Sequence, residues 1–134
     1  MLKVVIDTNI LVSGLLKTPS IPRSILDLVF SEKILACYNN LMFAEYREVL
    51  TRLSFGFNSA DVEQVLFALK TFGINISTET SFYKLPDPDD LPFLETALSA
   101  KAQFLITGNK KHFPGIYRGL KITTPTKFLS SIGE

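Results

Sequence analysis

Residues 1–16 read MLKVVIDTNILVSGLL. Leu2–Ile6 is apolar and rich in β-branched residues, has strand length, and stops at Asp7. A strand without a polar face belongs in a sheet covered on both sides, which is where parallel strands sit. Asp7-Thr8-Asn9 closes the run, and the apolar residues 10–16 then suit a short helix that breaks at Thr18-Pro19. One short strand feeding a helix through a polar junction is the unit of an α/β fold.

The same unit recurs along the chain. Pro22 suits a first helical turn, and Ile25, Leu28 and Val29 continue at helical spacing to about Glu32. Ile34–Tyr38 reads as a second strand, with Cys37 as a small buried hydrophobe. Residues 41–53 read as a helix whose Tyr46, Val49, Leu50 and Leu53 share one face. Asn58 or Ser59 caps the next helix, carried by Val62, Val65, Leu66 and Leu69 and ended by Gly73. Ile74–Ile76 is a short strand, and residues 77–89 are irregular. A helix is expected over Leu91–Lys101, with Phe93, Leu94, Ala97 and Leu98 inward, then strands at Phe104–Thr107 and Leu120–Thr123 and a helix over 125–132. The expectation is a single domain over 1–134, an α/β/α sandwich around a central parallel sheet.

Composition narrows the function. With 134 residues and 46% hydrophobic content, the chain can build a core without disulfides. One cysteine and one histidine rule out a Cys/His zinc site. No apolar run has the roughly 18 residues needed to span a membrane, and Asp7 interrupts the apolar start, so a cytoplasmic protein is expected. The net charge of +1 argues against a generally basic nucleic-acid binder, but the charge is segregated. Five acids face one lysine between Glu79 and Glu95, and six bases face one acid from Lys101 onward.

In parallel α/β sheets, ligands bind beyond the carboxyl ends of the strands. Asp7 stands at such an end, though Asp-Thr-Asn could be a plain turn and cap. Glu45 lies early in the helix after the second strand, with Glu48 one turn on, where a solvated face would look the same. Leu85-Pro86-Asp87-Pro88-Asp89-Asp90 packs three acids into four residues, and a helix N-cap, Asp89 or Asp90, needs only one. Acids at three strand-to-helix junctions suggest a hard divalent cation, Mg²⁺ or Mn²⁺, and hydrolysis of a phosphodiester.

Val-Val-Ile-Asp7-Thr8-Asn9, Glu45-Tyr46-Arg47-Glu48-Val49-Leu50, Asp87-Pro88-Asp89-Asp90-Leu-Pro-Phe93-Leu94-Glu95 and Thr107-Gly108-Asn109-Lys110-Lys111-His112 follow in order. In this order and spacing the chain resembles the PIN domain family, in particular the toxins of prokaryotic toxin–antitoxin modules. The resemblance implies the sandwich fold and a Mg²⁺- or Mn²⁺-dependent endoribonuclease acting on single-stranded RNA. By position it implies Asp7, Glu45 and Asp90 as catalytic metal ligands. Thr8, Asn9, Thr107 and Asn109 would shape the site, and Glu95 is an uncertain extra. It also implies a small antitoxin partner and allows a homodimer. The chain departs from the family where many members carry a fourth acid, since those places hold Asn109 and His112.

Lys110, Lys111 and His112 are expected to contact RNA phosphates, which position a strand without reading it. Phe82, Tyr83, Phe113 and Tyr117 could stack bases but suit the core or an interface better. Two alternatives stand beside the nuclease. One is an inactive PIN module that binds RNA or regulates, which the missing fourth acid allows. The other is a phosphotransfer domain, disfavoured because Asp7 has no acidic neighbour and no Gly-rich phosphate loop is present.

Overall fold

The computed structural model describes residues 1–134. Five strands form an all-parallel sheet: β1 (Lys3–Ile6), β2 (Leu35–Tyr38), β3 (Ile74–Asn75), β4 (Phe104–Ile106) and β5 (Lys121–Thr123). The helices are α1 (Thr8–Leu16), α2 (Ile21–Phe30), α3 (Asn40–Leu50), α4 (Ser59–Phe72), α5 (Leu91–Ser99) and α6 (Pro125–Ser131). They cover the sheet to give the α/β/α sandwich. Val4, Val5, Ile6, Leu105 and Ile106 are fully buried, which is why the central strands carry no polar face.

The strand order is β3-β2-β1-β4-β5. The chain steps outward from β1 to β3, then returns to the other side of β1 for β4 and β5. The order therefore reverses between β1 and β4, and connections leaving there diverge and open a crevice. The ladder pairs Ile6 with Ile106, so β1 and β4 end level and Asp7 and Thr107 emerge side by side. The Asp7 N–H still donates to the Ile106 carbonyl at 2.9 Å.

Four helices start on a side-chain cap. Ser20, Asn39, Asn58 and Thr124 accept from the N–H groups of Arg23, Met42, Ala60 and Lys127. The other two, α1 and α5, have Asp7 and Asp90 at the cap position, and neither carboxylate makes a cap bond.

Two expectations need correction. The helix read over 41–53 ends at Leu50, so Leu53 is not on its buried face but 98% exposed; the inward face is Met42, Tyr46 and Leu50. The first helix, read over residues 10–16, begins at Thr8, with Asp7 at its cap position. No helix is long and apolar enough to cross a membrane.

Candidate active site

Asp7 is buried at the strand-order reversal. Freed from capping, its Oδ2 accepts from the Thr107 hydroxyl at 2.7 Å, a bond across the crevice from the end of β1 to the end of β4. Thr107 Oγ1 in turn accepts from the Asn109 N–H at 3.1 Å. Asn9 completes the junction by accepting from the Gly108 N–H at 3.4 Å.

Glu45 reaches the same crevice from α3. The Thr8 hydroxyl donates to its Oε2, so the first residue of α1 orients the carboxylate. The next residue, Tyr46, is fully buried, and its hydroxyl donates to the Ile6 carbonyl, one residue before Asp7. Tyr46 thus pins α3 to the end of β1 and sets the Glu45–Asp7 relation. The sequence showed Tyr46 only as a core position; its adjacency to Glu45 was the signal available.

The third acidic segment divides its labour. Asp87 caps the 3-10 turn Pro88–Asp90 by accepting from the Asp89 N–H at 2.9 Å, while Asp90 takes the expected N-cap position of α5 but makes no cap bond. Asp90 is left free and mostly buried, its side chain 13% exposed. Its Oδ2 is buried with no hydrogen-bond partner. His112 Nδ1 lies 3.3 Å from that oxygen, within ion-pair distance but off the hydrogen-bond line.

Electrostatics tie these acids together. Burial raises the Asp7 carboxyl above the ordinary aspartate range, with the Thr107 bond and His112 pulling it back. Burial also raises Glu45, against the Thr8 bond, and the charge of Asp7 adds to the rise. Asp90 is pushed up to about 6 by burial and then by Asp7, with Glu45 a lesser contributor. Three carboxyls that repel one another, one with an unpartnered buried oxygen, fit a cation that would supply the missing charge. Oxygen-only donors select a hard cation such as Mg²⁺ or Mn²⁺. The three do not form a ready-made cage, because no group of three His, Cys, Asp or Glu side chains stands in ligating arrangement. Mg²⁺ suits such a site, since it keeps several waters and binds through one or two carboxylates plus substrate phosphate.

The remaining candidates sort by contact. Asn109 spends its side-chain oxygen on the Lys111 N–H at 3.1 Å, starting the 3-10 turn Lys110–His112. Lys110 and Lys111 are exposed and make no ion pair. Glu95 is not a solvated position: it accepts from the Ser81 N–H and ties the irregular 77–87 segment to α5. Phe113 and Tyr117 are core residues, while Phe82 is fully exposed and Tyr83 packs edge-on against Tyr117.

Comparison with known proteins adds two findings. The sequence pattern described as a PIN domain matches residues 3–111. An uncharacterized protein of Methanocaldococcus jannaschii is 31% identical over 140 aligned residues, covering 96% of this chain and 90% of that protein.

Proposed function

The chain belongs to the PIN domain family, and from that membership we propose that it is a Mg²⁺- or Mn²⁺-dependent endoribonuclease of single-stranded RNA, acting as the toxin of a toxin–antitoxin pair. Membership itself points to nuclease activity. The observation that carries the rest is the pair of uncapped helix starts. Asp7 and Asp90 occupy N-cap positions, forgo the cap bond, and turn their carboxylates to one crevice with Glu45.

In this reading Asp7, Glu45 and Asp90 hold the cation. A bound divalent cation would lower the pKa of a water and neutralise charge on the phosphate. Thr107 and Thr8 fix the Asp7 and Glu45 carboxylates, so little reorganisation is needed as the reaction proceeds. His112 offsets the charge of Asp90 from the crevice side. Lys110 and Lys111, free of acidic partners, contact the phosphates flanking the cut. Hydrolysis leaves a 5′-phosphate. The antitoxin would cover apolar surface over residues 41–72, where Leu41, Leu53 and Phe67 are exposed, and block the acidic pocket.

One observation favours the inactive RNA-binding module instead: Asn109, at a place where relatives carry an acid, has its side-chain oxygen committed to Lys111. A single assay separates the two. Labelled single-stranded RNA is incubated with the protein and Mn²⁺, with and without EDTA, beside Asp7→Asn and Asp90→Asn. We expect cleavage that chelation and both substitutions abolish. Binding without cleavage establishes the inactive module, and cleavage that survives EDTA or both substitutions removes the assigned chemistry.

A further inference from the structure

The β2–β3 ladder sets Tyr38 opposite Asn75. The chain leaves both strands at the carboxyl edge of the sheet, so Asn39 and Asn40 from one connection come beside Asn75, Ser77 and Thr78 from the other. They line a cleft of about 470 Å³, within the ~300–1,000 Å³ of small-molecule sites. Five of its seven lining residues carry amides or hydroxyls and none is charged. A cleft with that lining suits a neutral ligand recognised through hydrogen bonds, rather than a phosphate or a cation.

Part of the polar set builds the site. Asn39 is buried; its Oδ1 accepts from the Met42 N–H at 2.8 Å and its Nδ2 donates to Thr78 Oγ1 at 3.2 Å. That pair of bonds locks the two connections together. Asn75 Nδ2 donates to Asn40 Oδ1 at 3.0 Å, between two exposed amides. The bond aligns them and leaves the Asn40 N–H groups and the Asn75 Oδ1 without a protein partner. A donor and an acceptor held together match the edge of a nucleobase: the N6/N7 edge of adenine offers one donor and one acceptor, here met by two amides, Asn75 Oδ1 accepting from N6–H and Asn40 Nδ2 donating to N7. Single-stranded RNA offers such edges, because its bases are not paired.

The cleft is also placed to read a neighbouring nucleotide. Asn40 opens α3 and Glu45 follows five residues later, about 7.5 Å along the axis at ~1.5 Å per residue. β2 adjoins β1, and strands lie ~4.8 Å apart. We propose that this cleft is a base-reading subsite, in which Asn40 and Asn75 hydrogen-bond the edge of a base, adenine by its donor–acceptor pattern, on a nucleotide flanking the scissile phosphate. It rests on the RNA reading above.

The test has two arms. Cut sites are mapped in a randomised single-stranded RNA pool with Mn²⁺, for the wild type, Asn40→Ala and Asn75→Ala. Binding of labelled oligoadenylate and oligouridylate is measured by anisotropy for Asp7→Asn and for the same protein with Asn40→Ala added. The wild type should favour adenine at one flanking position by on the order of 5- to 150-fold. Both alanine variants should lose that preference, and the binding difference between the two oligonucleotides should vanish with Asn40→Ala. Both residues are exposed, so thermal melts should show the variants folded. Cleavage with no preference for adenine, or with one unchanged in both variants, overturns the subsite alone. Absence of both cleavage by the wild type and RNA binding by Asp7→Asn overturns the RNA reading and the subsite with it.

Discussion

Asp90→Asn should stabilise the metal-free protein and remove its response to metal. The Asp90 carboxyl is pushed from 3.8 to about 6, chiefly by burial and then by Asp7. Each pKa unit corresponds to ~1.36 kcal/mol, so the shift sets a ceiling of about 3 kcal/mol. The crevice opens to solvent, and screening discounts this to about 1–2 kcal/mol. The sign follows from proton uptake. The folded state holds the Asp90 proton up to about pH 6, whereas the unfolded chain releases it near its ordinary value. The stabilising protonated state is thus complete below about pH 4 and is lost as pH rises through about 6. Asparagine keeps the shape without the charge. In EDTA at about pH 8 the variant should melt roughly 3–7 °C above the wild type, with the advantage fading toward about pH 4. Millimolar Mn²⁺ should raise the wild-type midpoint and leave the variant nearly unmoved. Melts by circular dichroism across this pH range test both arms. A variant less stable than the wild type at about pH 8, or equal Mn²⁺ shifts for the two, would refute the picture of Asp90 as a charge held for a cation.

Three further outcomes follow from other parts of the fold. Gly73→Ala should cost about 1–3 kcal/mol in denaturant melts, because a Cβ there would lie 2.3 Å from the Leu69 carbonyl oxygen and 2.5 Å from that of Ala36; an unchanged midpoint would show that α4 can slide off β2. Burial pushes the Cys37 thiol up to about 11, so the native protein should resist thiol reagents near neutral pH and react only on unfolding; rapid labelling of the folded chain would contradict the core assignment. Replacing Lys110 and Lys111 together with alanine should flatten the salt dependence of RNA binding, lowering the log–log slope by about 1.4 for two phosphate contacts on a single strand; an unaltered slope would place the RNA elsewhere.

The sheet was legible because its strands are apolar on both faces and its helices are amphipathic, so the two periods alternate clearly. Periodicity was blind to where a helix stops. Leu53 fits the spacing of Tyr46 and Leu50, but the α3 backbone ends at Leu50 and Leu53 turns to solvent. The acids were legible through the rule that ligands gather at strand ends, which selects Asp7, Glu45 and the 87–90 segment. The division of labour within that segment was not, since Asp87 and Asp89 have the same composition and differ only in which N–H group lies within reach. The amide cleft was hidden for a topological reason: Asn40 and Asn75 are remote in sequence and meet only through the β2–β3 pairing.

The uncapped starts of α1 and α5 connect fold to chemistry. An N-cap bond is typically worth ~1 kcal/mol, and four of the six helices in this chain form one. Asp7 and Asp90 are good capping residues in the right place, yet neither caps. Instead Asp7 accepts from Thr107 across the strand-order reversal, and Asp90 keeps a buried oxygen without a hydrogen-bond partner. Burial raises all three carboxyls, and the charge of Asp7 adds to the rise of Glu45 and Asp90, a penalty that a bound cation would relieve. The segregated charge completes the logic. The acids collect where a cation would sit, and Lys110 and Lys111 follow the end of β4 beside them, where phosphate would be held. The net charge of +1 therefore hides a local contrast at the carboxyl edge of the sheet, where the acids and the Lys110–Lys111 pair come together, while Lys101 and Lys121 lie at the amino ends of β4 and β5. That arrangement predicts RNA affinity that depends on both salt and divalent metal, with the lysines setting the first dependence and the acids the second.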